Sequence, residues 1–382
     1  MTMNDRLSTA RPHPITPFRA REGETKVRRV TSVPASGRGS CAALILALFL
    51  IAAPARAAKF HVENWGVDSG SCGAAATPCR SIGKAVSLAV SGDSVLVGPG
   101  RYSNDLNHND TFNEPGEEPS IGITIAPGVT VMSTHGAAAT KLDYIVNGVP
   151  SIVISEGPSA VFGKKNHGFT IYLAPSSSVP GLIAVNASAG SSSTSGNVIL
   201  FNAPVSHGFG ILGGTFGTAS DNRIGAVGTG SLDDGIVGLS LVKNNVVNNA
   251  LFGFDGNATY RHNVAVENTF GFNLGDPSGS AVTEFTNNIV VANSFEGVSL
   301  NPGSSVTGAF KNNTIDNNDP VNNCGLDNGS GGLLSAAKNF WGAGTGPGAN
   351  PADAICNDNG STTGFIPFLT HPAPASGPGA IQ

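Results

Sequence analysis

One phrase recurs four times between Gly235 and Gly325, and it constrains this chain more than any other feature. It reads LVKNNVVNNALFGFD (241–255), YRHNVAVENTFGFNL (260–274), FTNNIVVANSFEGVSL (285–300) and FKNNTIDNNDPVNNCGL (310–326). An aromatic or aliphatic residue is followed by Asn, a short β-branched run, a second Asn, and a Gly-apolar-polar-apolar strand. Aligned on the first Asn, the positions are Asn244, Asn263, Asn288 and Asn313, spaced 19, 25 and 25 residues apart. Asn249, Asn268, Asn293 and Asn318 each follow five residues later. Helical repeats would show a 3.6-residue period and few internal glycines, whereas these units are short alternating strands punctuated by Asn and Gly. The 51 Gly and 35 Asn, with only 12% charged residues, also argue against a helix bundle.

Leucine-rich repeats fail for want of the Leu spacing, and propeller blades are about 40 residues or longer. A unit of this size with two or three strands is one coil of a parallel β-helix. The expected fold is therefore all-β, a single-stranded parallel β-helix (a solenoid of roughly 12 coils) with a short N-terminal capping helix. Stacked coils place Leu241, Tyr260, Phe285 and Phe310 in one inward column. Ile236, Phe254, Phe272, Val298 and Leu326 fall in another. Asn suits the corners because its amide bonds the next coil and it tolerates the αL backbone. Upstream strands are read at 94–100, 122–132, 151–157, 168–174, 182–188 and 197–203, with Gly/Ser-rich 188–196 as a turn or loop. SIGKAVSLAV (81–90), with Ile82, Val86 and Val90 on one face, reads as the helix over the first coil, and Phe340 and Trp341 as the cover of the last. One domain spans 58–368, and 369–382 is expected to be a flexible tail.

Residues 41–53 (CAALILALFLIAA) form a 13-residue apolar run, too short for a bilayer. Arg28, Arg29 and Arg38 precede it and Ala55-Arg56-Ala57 follows, the pattern of a secretory signal peptide cleaved after Ala57. Removing residues 1–57 takes away nine Lys/Arg and three Asp/Glu. That leaves 12 basic and 23 acidic side chains, a net charge of −11 in place of −5. Such a surface disfavours nucleic acid and anionic membranes. A secreted or periplasmic monomer with no inserted segment is expected. Export makes disulfides the default for Cys72, Cys79, Cys324 and Cys356; of three pairings, Cys72–Cys79 and Cys324–Cys356 keep each bridge at one end of the chain.

Three segments carry a resemblance. GSCGAAATPCRSIGKAVSLAVSGDSVLVGPGRY (70–102) is similar to the start of bacterial pectin-lyase-like proteins. The 235–326 units resemble the parallel β-helix repeat of that superfamily. Lys338-Asn339-Phe340-Trp341-Gly342 through Gly346-Pro347-Gly348 resembles its Asn-aromatic-Trp-Gly…Gly-Pro ending. The resemblance implies the right-handed β-helix fold and a secreted protein. It leaves activity open, because the superfamily holds lyases, hydrolases, epimerases and adhesins.

Four groups of residues invite a chemical reading. Ser206-His207-Gly208 resembles the His-Gly motif of β-helix polygalacturonases and Asp233-Asp234 their paired carboxylates, but the order is reversed and Arg223-Ile224 lacks the following Lys. Adjacent on one strand, the two aspartates would point to opposite faces. Asp255, Asn273, Ser299 and Asp327 each lie two residues after the repeat Gly and should form an outward polar ladder, a substrate-binding surface with Lys243 and Lys311 within a residue of the same column. Asp255, Tyr260, Arg261 and His262 are the candidate catalytic set. Uronate β-elimination or epimerisation needs a cation at the carboxylate, a base and a proton donor. LFGFDGNATYRHN (251–263) resembles mannuronan epimerases, with Asn257 where a His is expected. No cofactor is expected to be required. The acidic stretch 104–120 offers Asp105, Asp110 and Glu114 to Ca²⁺, against the plainer reading of a solvated insertion. Two functions remain open: binding or processing of extracellular polysaccharide, and a non-enzymatic surface or adhesion protein.

Overall fold

The computed structural model describes residues 56–109, 111–146, 152–175, 181–202, 208–227, 232–275 and 281–374. The apolar run 41–53, Asp110 and Ser206-His207 lie outside the described residues. Each turn of the chain visits three sheets in a fixed order. The turn through Leu241–Lys243, Val246–Asn248 and Ala250–Gly256 is followed by one through Thr259–Arg261, Val264–Val266 and Phe270–Leu274. Successive turns pair in parallel on every side. Sheet 1 has ten strands from Lys59–Val62 to Phe310–Lys311, sheet 2 nine from Gly100–Ser103 to Thr314–Asp316, and sheet 3 ten from Ile123–Ile125 to Ala354–Asn357. This is a right-handed parallel β-helix, the hand that twisted strands impose on parallel connections. Among the described residues the sheets have nine or ten strands where the length suggests roughly twelve coils, because N-terminal coils are longer. Ser94 pairs with Thr130, 36 residues on, whereas Leu241 pairs with Thr259, 18 residues on.

The buried asparagine ladder contains Asn263, Asn288 and Asn313 as the repeat alignment places them, but takes Asn245 in place of Asn244. Asn197, Asn222, Asn245, Asn263, Asn288, Asn313 and Asn339 stack between sheets 1 and 2, all within 1% of full burial. From Asn197 to Asn313, backbone N–H and side-chain amide both donate to the Oδ1 of the next Asn at 2.8–3.3 Å. Asn244 is instead the αL residue before the ladder, φ 55°, equivalent to His262, Asn287 and Asn312 at 56–57°. A second ladder of Asn268, Asn293 and Asn318 ends on Asp353. Asn249 is again the αL residue, and Ala250 occupies its ladder position. The pair Asn-Asn in LVKNN hides the slip, since either residue fits a rule that asks only for Asn.

The core follows the same register. Ile236, Phe254, Phe272, Val298 and Leu326 form the inward column expected of them. In the other column Val242, and not Leu241, lies level with Tyr260, Phe285 and Phe310; Leu241 pairs with Thr259. Each repeat Gly is dictated by close approach. A Cβ on Gly253 would sit 2.6 Å from the Gly271 carbonyl and 2.9 Å from the Asn268 amide, and one on Gly271 would meet the next coil as closely.

The helix, α1 (Ile82–Leu88), buries Ile82, Ala85 and Val86, but Val90 lies beyond its C-cap and is exposed. Phe340 and Trp341 are buried at the other end, where Phe340 bridges to Thr314. Both expected disulfides are present, Cys72–Cys79 and Cys324–Cys356. Two segments are more ordered than expected. Ser193–Ser195 is a strand of sheet 1 with Thr194 buried, so 188–196 is more than a loop. Beyond 368, the Leu369 N–H donates to the Asn339 carbonyl and the Ala373 N–H to the Thr314 hydroxyl, so the rod holds the tail through 374.

Candidate functional site

Sheet 3 carries two non-core columns of side chains from Leu232–Val237 to Cys324–Asn328. The first runs Val237, Asp255, Asn273, Ser299, Asp327, in the register expected for the polar ladder. It is wired along the axis: the Asn301 amide donates to Asn273 Oδ1 at 2.9 Å and the Asn273 amide to Asp255 Oδ1 at 2.8 Å. Asp255, Asn273 and Asn301, with Thr215, Ser240 and Thr283, line a groove of about 580 Å³.

The second column runs Phe209, Asp234, Phe252, Phe270, Glu296. Phe252 and Phe270 stack at 4.9 Å, and Phe270 packs 5.0 Å from Phe295, a residue 46% exposed. The columns are coupled. Glu296 shares a hydrogen bond with Ser299; burial raises its pKa first, and Asp327, Asp319 and Asp358 add to that. Burial, then Asp255 and Asp233, push the Asp234 carboxyl up to about 7. Burial and then Asp358 raise Asp327. The N–H groups of Asp233 and Asp234 share the Gly208 carbonyl at 3.1 and 3.0 Å.

The candidate catalytic set does not gather here. Tyr260 is a core residue, 1% exposed, whose hydroxyl donates to the Gly256 carbonyl and whose pKa burial raises strongly. His262 occupies the αL corner before the ladder. Arg261 lies on sheet 1, level with Lys243 and Thr286, with Lys311 one strand further; all three cations are exposed, and the Arg261 guanidinium is bound by Glu284. That hydrogen bond holds the Glu284 carboxyl below its ordinary value and raises Arg261. Lys243 and Lys311 thus share a column with Arg261, and the corner between the sheets separates them from Asp255.

The acidic stretch 104–120 is solvated at its tip, where 107–109, Thr111, Asn113 and Pro115 are exposed, and buried at its two ends. Asp105, Glu117 and Glu118 are buried, because backbone N–H groups claim their carboxylates. Asp105 accepts from Asn109, Glu117 from Leu106 and Glu114, and Glu118 from Ile82 and Gly83 at the start of α1. Glu114 accepts from the amides of Asn107 and Asn109. Among the described residues, the one group of three potential metal ligands within 4.8 Å is Asp68, Cys72 and Cys79, whose sulfurs are already joined. Asp105 Oδ1 and Glu114 therefore have structural partners, Asp105 Oδ2 is buried without a hydrogen bond, and Asp110 lies outside the described residues.

Phe252, Phe270, Phe295 and Glu296 were not legible as site residues. The signal lay in Phe-Gly-Phe: Gly253 and Phe254 are both buried, which breaks the period of two and leaves Phe252 off the core column.

No protein-family model matches the chain, and no curated protein does. Solved structures with a similar chain course include a rhamnogalacturonan lyase (11% identical, 82% of this chain and 87% of that one, TM-score 0.43). XylC in complex with xylose is 12% identical over 74% and 69%, TM-score 0.42. The A-module of Azotobacter vinelandii mannuronan C-5 epimerase AlgE4 is 14% identical over 75% and 91%, TM-score 0.37. At these levels none bears on the chemistry of the site.

Proposed function

We propose that this is an exported glycan-binding β-helix whose ligand, an extracellular polysaccharide, lies along the sheet 3 face. The observation that carries the reading is the continuous Asn301–Asn273–Asp255 hydrogen-bond ladder beside the stacked Phe252, Phe270 and Phe295. Amides and carboxylates suit sugar hydroxyls, and phenyl rings suit the apolar faces of sugar rings. Strand spacing of about 4.8 Å repeats these groups along an extended chain. The two disulfides fit an oxidising compartment, and no described helix is long and apolar enough to cross a membrane.

Binding is favoured over lyase or epimerase chemistry because Tyr260, Arg261 and His262 are committed to core, ion pair and corner. One observation favours a second reading, glycoside hydrolysis: Asp234 keeps its proton up to about pH 7 beside Asp255, as a general acid must. Chain 58–382 should be titrated with a panel of neutral, amino and uronic-acid glycans, with product chains followed by chromatography and ultraviolet absorbance. The expected result is saturable binding to at least one glycan with its length unchanged and no unsaturated product. Shortened chains would move the assignment to hydrolysis, and absence of binding across the panel would overturn the proposal.

A further inference from the structure

The charge on the sheet 3 face is all of one sign. Asp234 and Glu296 in one column, and Asp255 and Asp327 in the other, present four carboxylates across the coils from Leu232–Val237 to Cys324–Asn328. None of the residues in these two columns is Lys, Arg or His, and none lining the groove is. The exposed cations of these coils, Lys243, Arg261 and Lys311, stand on sheet 1, where Arg261 is already neutralised by Glu284. Asp255 and Asp327 are three strands apart in one column, roughly 14 Å, and Asn273 and Ser299 fill the interval with hydrogen-bonding groups.

We infer that the glycan this groove takes carries protonated amino groups, as a polymer of de-N-acetylated amino sugars does, and is not a polyuronate. The inference rests on the glycan-binding reading and names its substrate class. An ammonium group on the sugar would meet the Asp255 and Asp327 column and, on binding, would favour loss of the proton that burial holds on the Asp234 and Glu296 carboxyls. The rings of Phe252, Phe270 and Phe295 offer the same cation a π-face. A polyuronate would bring carboxylates against this face with no cation to receive them, and the net charge of −11 on residues 58–382 would oppose its approach.

The test is calorimetric titration of chain 58–382 near pH 7, where Asp234 begins to ionise, with three hexamers: β-1,4-linked glucosamine with free amines, its fully N-acetylated counterpart, and oligogalacturonate. The free-amine hexamer is expected to bind at least about tenfold more tightly than the acetylated one, an advantage that shrinks as added salt screens the charges. Asp255→Asn combined with Asp327→Asn should narrow the ratio between those two hexamers to within about threefold. Equal binding of both would overturn the inference and leave the groove reading standing. So would oligogalacturonate binding as tightly as the amine. Binding of none of the three would overturn the inference, and the wider glycan panel then decides the groove reading.

Discussion

Asn288→Ala is expected to lower the unfolding free energy by roughly 3–5 kcal/mol, among the largest effects of any single truncation in the chain. Asn288 is fully buried. Its Oδ1 accepts from the backbone and side chain of Asn263 at 3.0 and 3.1 Å, and its amide donates to the Tyr260 carbonyl and Asn313 Oδ1 at 3.2 Å each. Alanine removes the partner of two Asn263 donors and of the Tyr260 carbonyl where water does not reach, while Asn313 Oδ1 keeps the backbone N–H of residue 288; each stranded group costs about 1–3 kcal/mol before relaxation. Asn312→Ala is the comparison: its φ of 57° marks an αL corner, where Ala loses only about 1 kcal/mol. Urea unfolding of the two variants measures the difference. Equal losses would mean that the amide ladder is not what holds the coils in register.

The second large effect is a loss of stability as pH rises toward neutrality. Glu156 is 1% exposed, and burial pushes its carboxyl up to about 7, although the Thr194 and Ser192 hydroxyls pull the other way. Glu118, under α1, is likewise pushed up to about 7 by burial. A carboxylate whose pKa is higher in the folded state binds protons more tightly there. Its contribution is therefore complete below the unfolded value of about 4.5 and is lost as pH climbs through about 7. For Glu156 that amounts to roughly 3 kcal/mol at pH 8. Thermal unfolding should accordingly give a higher Tm at pH 5 than at pH 8. Glu156→Gln keeps the Thr194 hydrogen bond without a charge and should flatten the profile, with its gain confined to the alkaline side. A wild-type Tm that rises from pH 5 to pH 8 would contradict the assignment.

Periodicity made the architecture legible, because a coil that stacks on its neighbour must repeat its corner and core chemistry. The column from Ile236 to Leu326 and the polar column from Asp255 to Asp327 could both be counted from the repeat Gly, whose position no side chain can share. What failed was phase at the corners. An αL residue and a ladder residue are adjacent, and Asn suits both, so Asn244 and Asn249 were misplaced while Asn263 and Asn288 were not. Function was less legible for a related reason. Asp255 and Arg261 are six residues apart in sequence, but a corner lies between them and turns their side chains onto different sheets. The buried carboxylates of 104–120 were missed because composition reports charge and not the backbone donors that a folded loop turns toward it.

The account's central claim is that glycan is held by the sheet 3 face and not by the cations of sheet 1. Its most direct test is equilibrium binding, to whichever glycan the wild type binds best, of two multiple variants with matched Tm. One carries Phe270→Ala and Asn273→Ala; the other carries Lys243→Ala, Arg261→Ala and Lys311→Ala. The account predicts at least about a tenfold loss of affinity in the first, the scale of removing a ring platform together with a part-buried hydrogen bond, and a change within about twofold in the second. Affinity retained in the first and lost in the second would contradict it.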